Sequence, residues 1–493
     1  MPLTSHRPLG GVKRALLGVA AGLGALGAAC IGVQTPGVSS MREVLDAPPG
    51  KNIPFEESLA PGAIGTGNVR VDTSQRFQTL EGFGASVGWH LDRISGAVTD
   101  GLYEYLFPEA GLDILRFRNR FERTDKGDEA LRQEVSIFER ATAALGHPPK
   151  LLISSWSPPA SLKANGREKC AGNPDCTLKK EGGKFLYAEF ADWWQRSISH
   201  YRSLGLDPTW ISIQNEPDFV PPDWEGCKFT PTEEANYPGY GRALEAVHAA
   251  VQKLEHPPKM LGPEVLGIHY ERVPKYMAGL DANLLAGVAH HIYERGDDAM
   301  WDWRDPGPDS FVDEMLSVKA TVPDKPTFQT EFGTDEDHEV DGGFETAWLI
   351  HHSLVNQGAS AFLYWELIWP DNKGLVAMKS LTPSPRDQYY SMRHFARFTD
   401  PGYVRVGASA DGSGLLASAY VSPDDKHLSV VLLNTGTLAM DATLDAGAFA
   451  DAKSEAFVTS FRPGSTRRWS EVGPLSGTLR LPARSVATIA FTR

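Results

Sequence analysis

The chain has 493 residues, enough for two or three domains or for one large barrel with an accessory module. Hydrophobic residues make up 41% and charged residues 22%, so a sizeable core can form, which argues against wholesale disorder. Lys and Arg total 48 against 62 Asp and Glu; the resulting charge of −14 argues against a nucleic-acid binder, which carries a basic patch or stripe. The 12 tryptophans and 14 tyrosines supply flat faces of the kind sugar sites use, although most such rings serve as core.

In chain order, residues 1–30 read as a signal rather than as fold. His6, Arg7, Lys13 and Arg14 precede an apolar Gly/Ala-rich run that ends at Cys30 and is too short to span a bilayer comfortably. Leu26-Gly27-Ala28-Ala29-Cys30 resembles a bacterial lipoprotein box, which makes Cys30 the expected lipidation site; ordinary cleavage near Ala29 is the alternative. Either route exports the protein, to the cell surface or periplasm or as a secreted form, and the lipid is its one expected membrane contact. Residues 31–64, rich in Gly, Pro and Ser, read as a flexible linker. An exported chain can keep disulfides. Cys170–Cys176 is the expected pair, closing one short loop, with a bond from either to Cys227 left open.

Residues 65–80 read as a strand that joins a later sheet. From 81 to 398, strand-like runs at 113–117, 150–156, 210–214, 260–262, 287–293, 327–330 and 361–365 alternate with helix-like segments such as 188–204, 240–253 and 343–355. Such alternation predicts an α/β fold, a (β/α)8 TIM barrel. Residues 399–493 alternate apolar and polar positions between turn signals such as Pro423-Asp424-Asp425, which predicts an all-β sandwich side domain.

Reactive groups of such barrels sit at the carboxyl ends of the strands. Glu216 follows one strand in Asn215-Glu216-Pro217, where Pro217 disfavours helical geometry at Glu216 and ends the strand. Glu331 ends another in Thr330-Glu331-Phe332. About three strands apart around an eight-fold ring, two carboxylates can face each other across the mouth, the pairing that glycoside hydrolysis needs. Glu264 and Glu366 are rival rim carboxylates that spacing leaves in play. A metal is not expected: His290 and His291 point to opposite faces of a strand, and no His-Glu-x-x-His occurs.

Several stretches together resemble glycoside hydrolase family 30, a group of retaining β-glycosidases of the xylanase, β-1,6-glucanase and glucosylceramidase type. They are Gln78 to Ser86, Ile114-Leu115-Arg116, Ser155-Trp156-Ser157-Pro158-Pro159, Lys163-Ala164-Asn165-Gly166, Ile213 to Pro217, His291-Ile292-Tyr293, Thr330-Glu331, Tyr364-Trp365, Tyr389-Tyr390 through Arg397-Phe398, and Pro401-Gly402-Tyr403-Val404. The resemblance implies that Glu216 is the acid/base and Glu331 the nucleophile, and that Asn215 binds the sugar 2-hydroxyl. It further implies that Arg116 and Tyr293 orient an ionised Glu331, that Trp156 and Trp365 wall the sugar subsite, and that His291 bonds a hydroxyl. No cofactor is implied, and a monomer acting on a polysaccharide or oligosaccharide is expected.

The run Trp224 to Glu233 looks like the corresponding loop of the xylan-cleaving branches. The glucuronate-dependent branch carries an arginine after strand eight, whereas Glu366 to Lys373 here contains none. An endo-acting xylanase without strict glucuronate dependence leads. A β-1,6-glucanase or glucosylceramidase-like β-glucosidase follows, and a non-catalytic carbohydrate-binding lipoprotein is the reading from another class.

Overall fold

The computed structural model describes residues 64–95, 101–124, 127–293, 307–334, 339–371, 373–378, 383–475 and 477–493. The expected signal with Cys30, and the linker up to residue 63, lie outside the described residues. Among the described residues no helix is long and apolar enough to cross a membrane.

The chain enters through β1 (Gly65–Thr79) and then builds the barrel. Eight parallel strands close on themselves: β2 (Gly82–Val87), β3 (Ile114–Arg118), β4 (Lys150–Ser154), β5 (Trp210–Ser212), β6 (Lys259–Val265), β7 (Gly287–His291), β8 (Thr327–Glu331) and β9 (Ala359–Tyr364). β9 pairs with β2 from Ala361 opposite Gly82 to Tyr364 opposite Ala85, which completes the ring. β2 was absent from the strand-like runs because Gly82-Phe83-Gly84-Ala85 is glycine-rich. Its glycines are required: a Cβ on Gly84 would lie 2.2 Å from the Ile114 carbonyl oxygen. The strand at 210–214 is shorter than its apolar pattern suggested, ending at Ser212.

The barrel strands are buried on both faces, as parallel strands under a coat of helices must be. One coating helix, Tyr187–Ser203, buries Phe190, Trp193, Trp194, Ile198 and Tyr201, a stripe at three- and four-residue spacing. Inside the ring, Ile114, Leu152, Trp210, Leu261, Ala289, Phe328, Ala361 and Leu363 form a separate apolar plug. Two residues further along β3 and β4 the same face carries Arg116 and Ser154, and along β7 it carries His291. The interior therefore changes from hydrocarbon to charge toward the carboxyl end of the barrel.

The last part of the chain forms β10 (Val404–Ala410), β11 (Leu415–Val421), β12 (His427–Asn434), β13 (Met440–Asp445), β14 (Lys453–Ser460), β15 (Ser470–Gly473), β16 (Thr478–Leu481) and β17 (Ser485–Thr492). With β1 they hydrogen-bond in the order β15-β14-β17-β12-β11-β10-β1-β13-β16. Their inner faces enclose one apolar core, with Val69 and Val71 from β1 beside Val430, Val458, Leu481 and Ile489. The sandwich is tied to the barrel by His394, buried on the helix Asp387–Ala396, whose ring nitrogens lie 2.9 and 2.7 Å from the Thr488 and Thr459 hydroxyls.

Candidate active site

Strand alternation alone does not aim the key carboxylates inward. Leu261 and Phe328 face the apolar plug, so Glu264 and Glu331, three residues on, would fall on the outer face. The pairing register shifts between Pro263 and Val265 and between Gln329 and Glu331. Each irregularity re-aims one carboxylate into the ring, the usual role of a bulge beside a site. At Glu264 the backbone is left-handed, with φ at 60°.

Glu216 departs from its sequence expectation. A residue before proline favours extended geometry, but Glu216 has φ of 48°. Its N–H donates to the Glu264 carbonyl, 2.9 Å away on the next strand, and the Gln214 amide donates to the carbonyls of Trp156 and Asn215, each at 2.8 Å. Those contacts hold a conformation that costs on the order of 1–3 kcal/mol, as functional sites commonly do.

The two carboxylates meet. Glu216, Glu331 and His291 each present an atom within 4.8 Å of the others. Glu331 is held at both oxygens: Tyr293 donates its hydroxyl to Oε1 at 2.9 Å, and Arg116 donates to Oε2 at 2.6 Å. Arg116 is fully buried and also donates to Glu264 at 3.1 Å, Ser86 at 3.1 Å and the Asn215 side-chain oxygen at 2.5 Å. That last bond engages the Asn215 oxygen and not its amide N–H groups.

His291 is placed differently from its expected role. Its Nδ1 lies 3.0 Å from Glu216 Oε1 and its Nε2 lies 4.0 Å from both Glu264 and Glu331, with the ring fully buried, so it serves the carboxylates rather than presenting an edge to a sugar. Burial pulls an imidazole down, but the Glu331 charge and the bonds toward Glu216 and Glu264 outweigh it and hold His291 at about 9. Burial raises the Glu216 carboxyl to about 7, the Glu331 charge adding to the shift and the His291 bond opposing it. His290 faces away, against the Gln357 side chain at 2.6 Å.

The rival carboxylates are both removed from solvent. Glu264 is 0% exposed and pairs with Arg116. Glu366 is 1% exposed, and its Oε1 accepts from the N–H groups of Gly88 and Trp89 at 2.6 and 2.8 Å. Burial pushes Glu366 well above the ordinary carboxylate range.

Above the carboxylates, Trp156 and Trp365 lie 5.8 Å apart, with the Arg116 guanidinium 4.4 Å from the Trp156 ring. Sequence reasoning missed Trp89, which completes the cluster at 5.0 Å from Trp365 and 6.0 Å from Trp156. It also missed Arg118, which lies 4.2 Å from the Trp89 ring and pairs with Glu225 at 3.1 Å. The only available signal was alternation: Arg118 stands two residues beyond Arg116 on one strand face. Glu225 belongs to the loop after β5 and also binds Arg123 at 2.7 Å. That loop packs on the segment closed by a Cys170–Cys176 disulfide, while Cys227 is a buried thiol that burial pushes up to about 12.

Glu216, His291 and Glu331 are near enough to chelate a cation. Arg116 and His291, however, already supply positive charge to those carboxylate oxygens. The donor set is an ion-pair network.

A closed parallel barrel, a β-sandwich built partly from the N-terminal strand and a facing carboxylate pair define a barrel glycoside hydrolase. The family model for the glycosyl hydrolase family 30 beta sandwich domain matches residues 402–489. Glucuronoxylanase XynC of Bacillus subtilis (strain 168) is 22% identical over 460 residues, covering 88% of this chain and 95% of its own. Endo-1,6-beta-D-glucanase neg1 of Aspergillus fumigatus is 23% identical over 440 residues, covering 78% and 84%. Among solved structures, the family 30 subfamily 8 xylanase Xyn30A of Clostridium acetobutylicum superposes with a TM-score of 0.66 at 23% identity, over 87% of this chain and 100% of that one. The chain is thus similar to glycoside hydrolase family 30 in its sandwich domain and to glycosidases of that group over most of its length.

Proposed function

We propose that the protein is a retaining, endo-acting glycosidase of β-linked polysaccharide, with xylan as its substrate and no strict need for glucuronate. The observation that carries retention is the gap of at most 4.8 Å between Glu216 and Glu331 oxygens. Retaining pairs stand about 5–5.5 Å apart, whereas inverting pairs need about 6.5–9.5 Å to admit a water. Glu331, oriented by Tyr293 and Arg116, attacks the anomeric carbon while Glu216 protonates the leaving oxygen. The glycosylated Glu331 carries no charge, so Glu216 loses one cause of its raised pKa and acts as base toward water. Asn215 donates to the 2-hydroxyl, and the tryptophans wall the sugar.

Xylan is favoured by the names of the similar proteins and by the loop carrying Glu225. The segment Glu366 to Lys373 offers no guanidinium for a uronate, and the Lys373 ammonium sits over Trp369 at 5.9 Å. A point charge cannot replace a bidentate clamp. The leader-like N-terminus supports export, with Cys30 as the lipidated residue.

The test is a product profile on unsubstituted xylan, glucuronoxylan and β-1,6-glucan, with Glu331→Gln as control. Oligosaccharides of several lengths from both xylans, first released as the β-anomer in proton NMR, are expected. Release of the α-anomer, activity confined to β-1,6-glucan, or full activity in Glu331→Gln would each overturn the reading.

A further inference from the structure

The active site contains a third carboxylate that the two-carboxylate reaction does not use. Glu264 is as buried as any residue in the barrel, on β6 between the strands that carry Glu216 and His291. Its Oε1 accepts from Arg116 Nε and from the Ser154 hydroxyl, each at 3.1 Å. Its Oε2 is buried without a hydrogen-bond partner, and so is Nε2 of His291, 4.0 Å from Glu264 Oε1. A buried carboxylate and a buried imidazole nitrogen therefore face each other within charge range.

We propose that Glu264 is a positioning residue for the hydrolytic pair: it anchors Arg116 and His291 so that one cation serves Glu331 and the other serves Glu216. This inference rests on the assignment of those two residues as acid/base and nucleophile. His291 has the Glu216 carboxyl at hydrogen-bond distance from Nδ1 and two more carboxylates 4.0 Å from Nε2, surroundings that favour the imidazolium.

Charge arithmetic explains the need. With Glu216 protonated for catalysis, Glu264 and Glu331 balance Arg116 and His291. Without Glu264 the same cluster carries one uncompensated positive charge and releases a proton at lower pH. The other groups facing it are Ser154 on β4, Ser212 on β5, Tyr240 on the neighbouring helix Tyr240–Val251 and Tyr293 beyond β7. Asp218 also bears on Glu216, but Arg272 pairs with it at 2.5 Å, and none of the others supplies a second fixed anion. Consistent with this, burial pushes Glu264 up but Arg116 and His291 outweigh it, holding the carboxyl at about 2.

The test is the pH profile of kcat/KM for Glu264→Gln and Glu264→Asp. His291 and Glu216 titrate as a pair, so the profile reports a macroscopic value. Glu264→Gln is expected to move the alkaline limb to lower pH by about one unit or more, given a unit charge removed at close range. Glu264→Asp keeps the charge and is expected to keep the limb while lowering kcat. An unshifted limb in Glu264→Gln would overturn the proposal, because a merely structural Glu264 lowers the rate without moving the limb. Should Glu264→Gln fail to fold, nitrogen-15 histidine NMR of the native protein decides: His291 as imidazolium at pH 7.5 supports the proposal, and a neutral ring overturns it. Glu331→Gln separates the two inferences, since full activity there removes the catalytic assignment itself, while its inactivity beside an unshifted Glu264→Gln limb removes only the role of Glu264.

Discussion

Replacing Arg116 by methionine tests the network at its centre. The guanidinium is fully buried, donates to Glu264, Glu331, Ser154, Ser86 and Asn215, and lies over the Trp156 ring. Methionine fills similar volume but leaves two buried carboxylates facing each other without that cation. Breaking a buried pair by removing one partner costs about 3–5 kcal/mol, mostly from the charge left behind. Lost contact with Trp156 adds about 1 kcal/mol. The pH dependence gives the sharper signature. Arg116 and His291 hold Glu264 at about 2 against the pull of burial, so its contribution to stability is present above the unfolded carboxylate range and lost as pH falls toward 2. In Arg116→Met burial dominates, Glu264 moves above its unfolded value, and the penalty is full at high pH and relieved as the group takes up a proton. Urea denaturation at pH 8 and pH 5 measures both effects. Arg116→Met is expected to lose about 4 kcal/mol at pH 8 and distinctly less at pH 5 relative to the native chain. A loss under about 1 kcal/mol, or one equal at the two pH values, would refute the reasoning.

The other expectations concern Glu216. Glu216→Ala should lower kcat/KM on xylan by about 10²–10⁴-fold and much less on an aryl glycoside whose leaving group needs no proton; equal losses on both would remove its role as acid. With Glu216 as the proposed acid, raised to about 7, kcat/KM of the native enzyme should be sustained below that value and fall as pH rises through it. A flat profile from pH 5 to 9 would contradict the assignment.

Much was legible because local signals are strong. Alternating strand and helix patterns gave the barrel, and two-residue periodicity gave the sandwich, with β1 recognised as a strand far from its partners in sequence. Glu216 and Glu331 stood at strand ends alongside Glu264 and Glu366, and the family resemblance, not position, singled out the pair. Trp89 gave no comparable signal: it follows a glycine-rich strand, and only the folded ring brings it to Trp156 and Trp365. The expectation of extended geometry at Glu216 failed because a contact with the neighbouring strand overrides the local preference imposed by Pro217.

The amino-acid sequence by itself determined the element order, the barrel and sandwich classes and the two carboxylates at strand ends, since these follow from periodicity and residue chemistry along the chain. Tertiary structure alone decided which acids are usable. By strict alternation Glu264 and Glu331 share one orientation, both bulges turn them inward and Arg116 pairs with both, yet Glu264 is wholly buried while Glu331 keeps slight exposure and faces Glu216. That difference depends on three-dimensional neighbours, because a carboxylate's access and charge are set by what surrounds it rather than by its place in the chain.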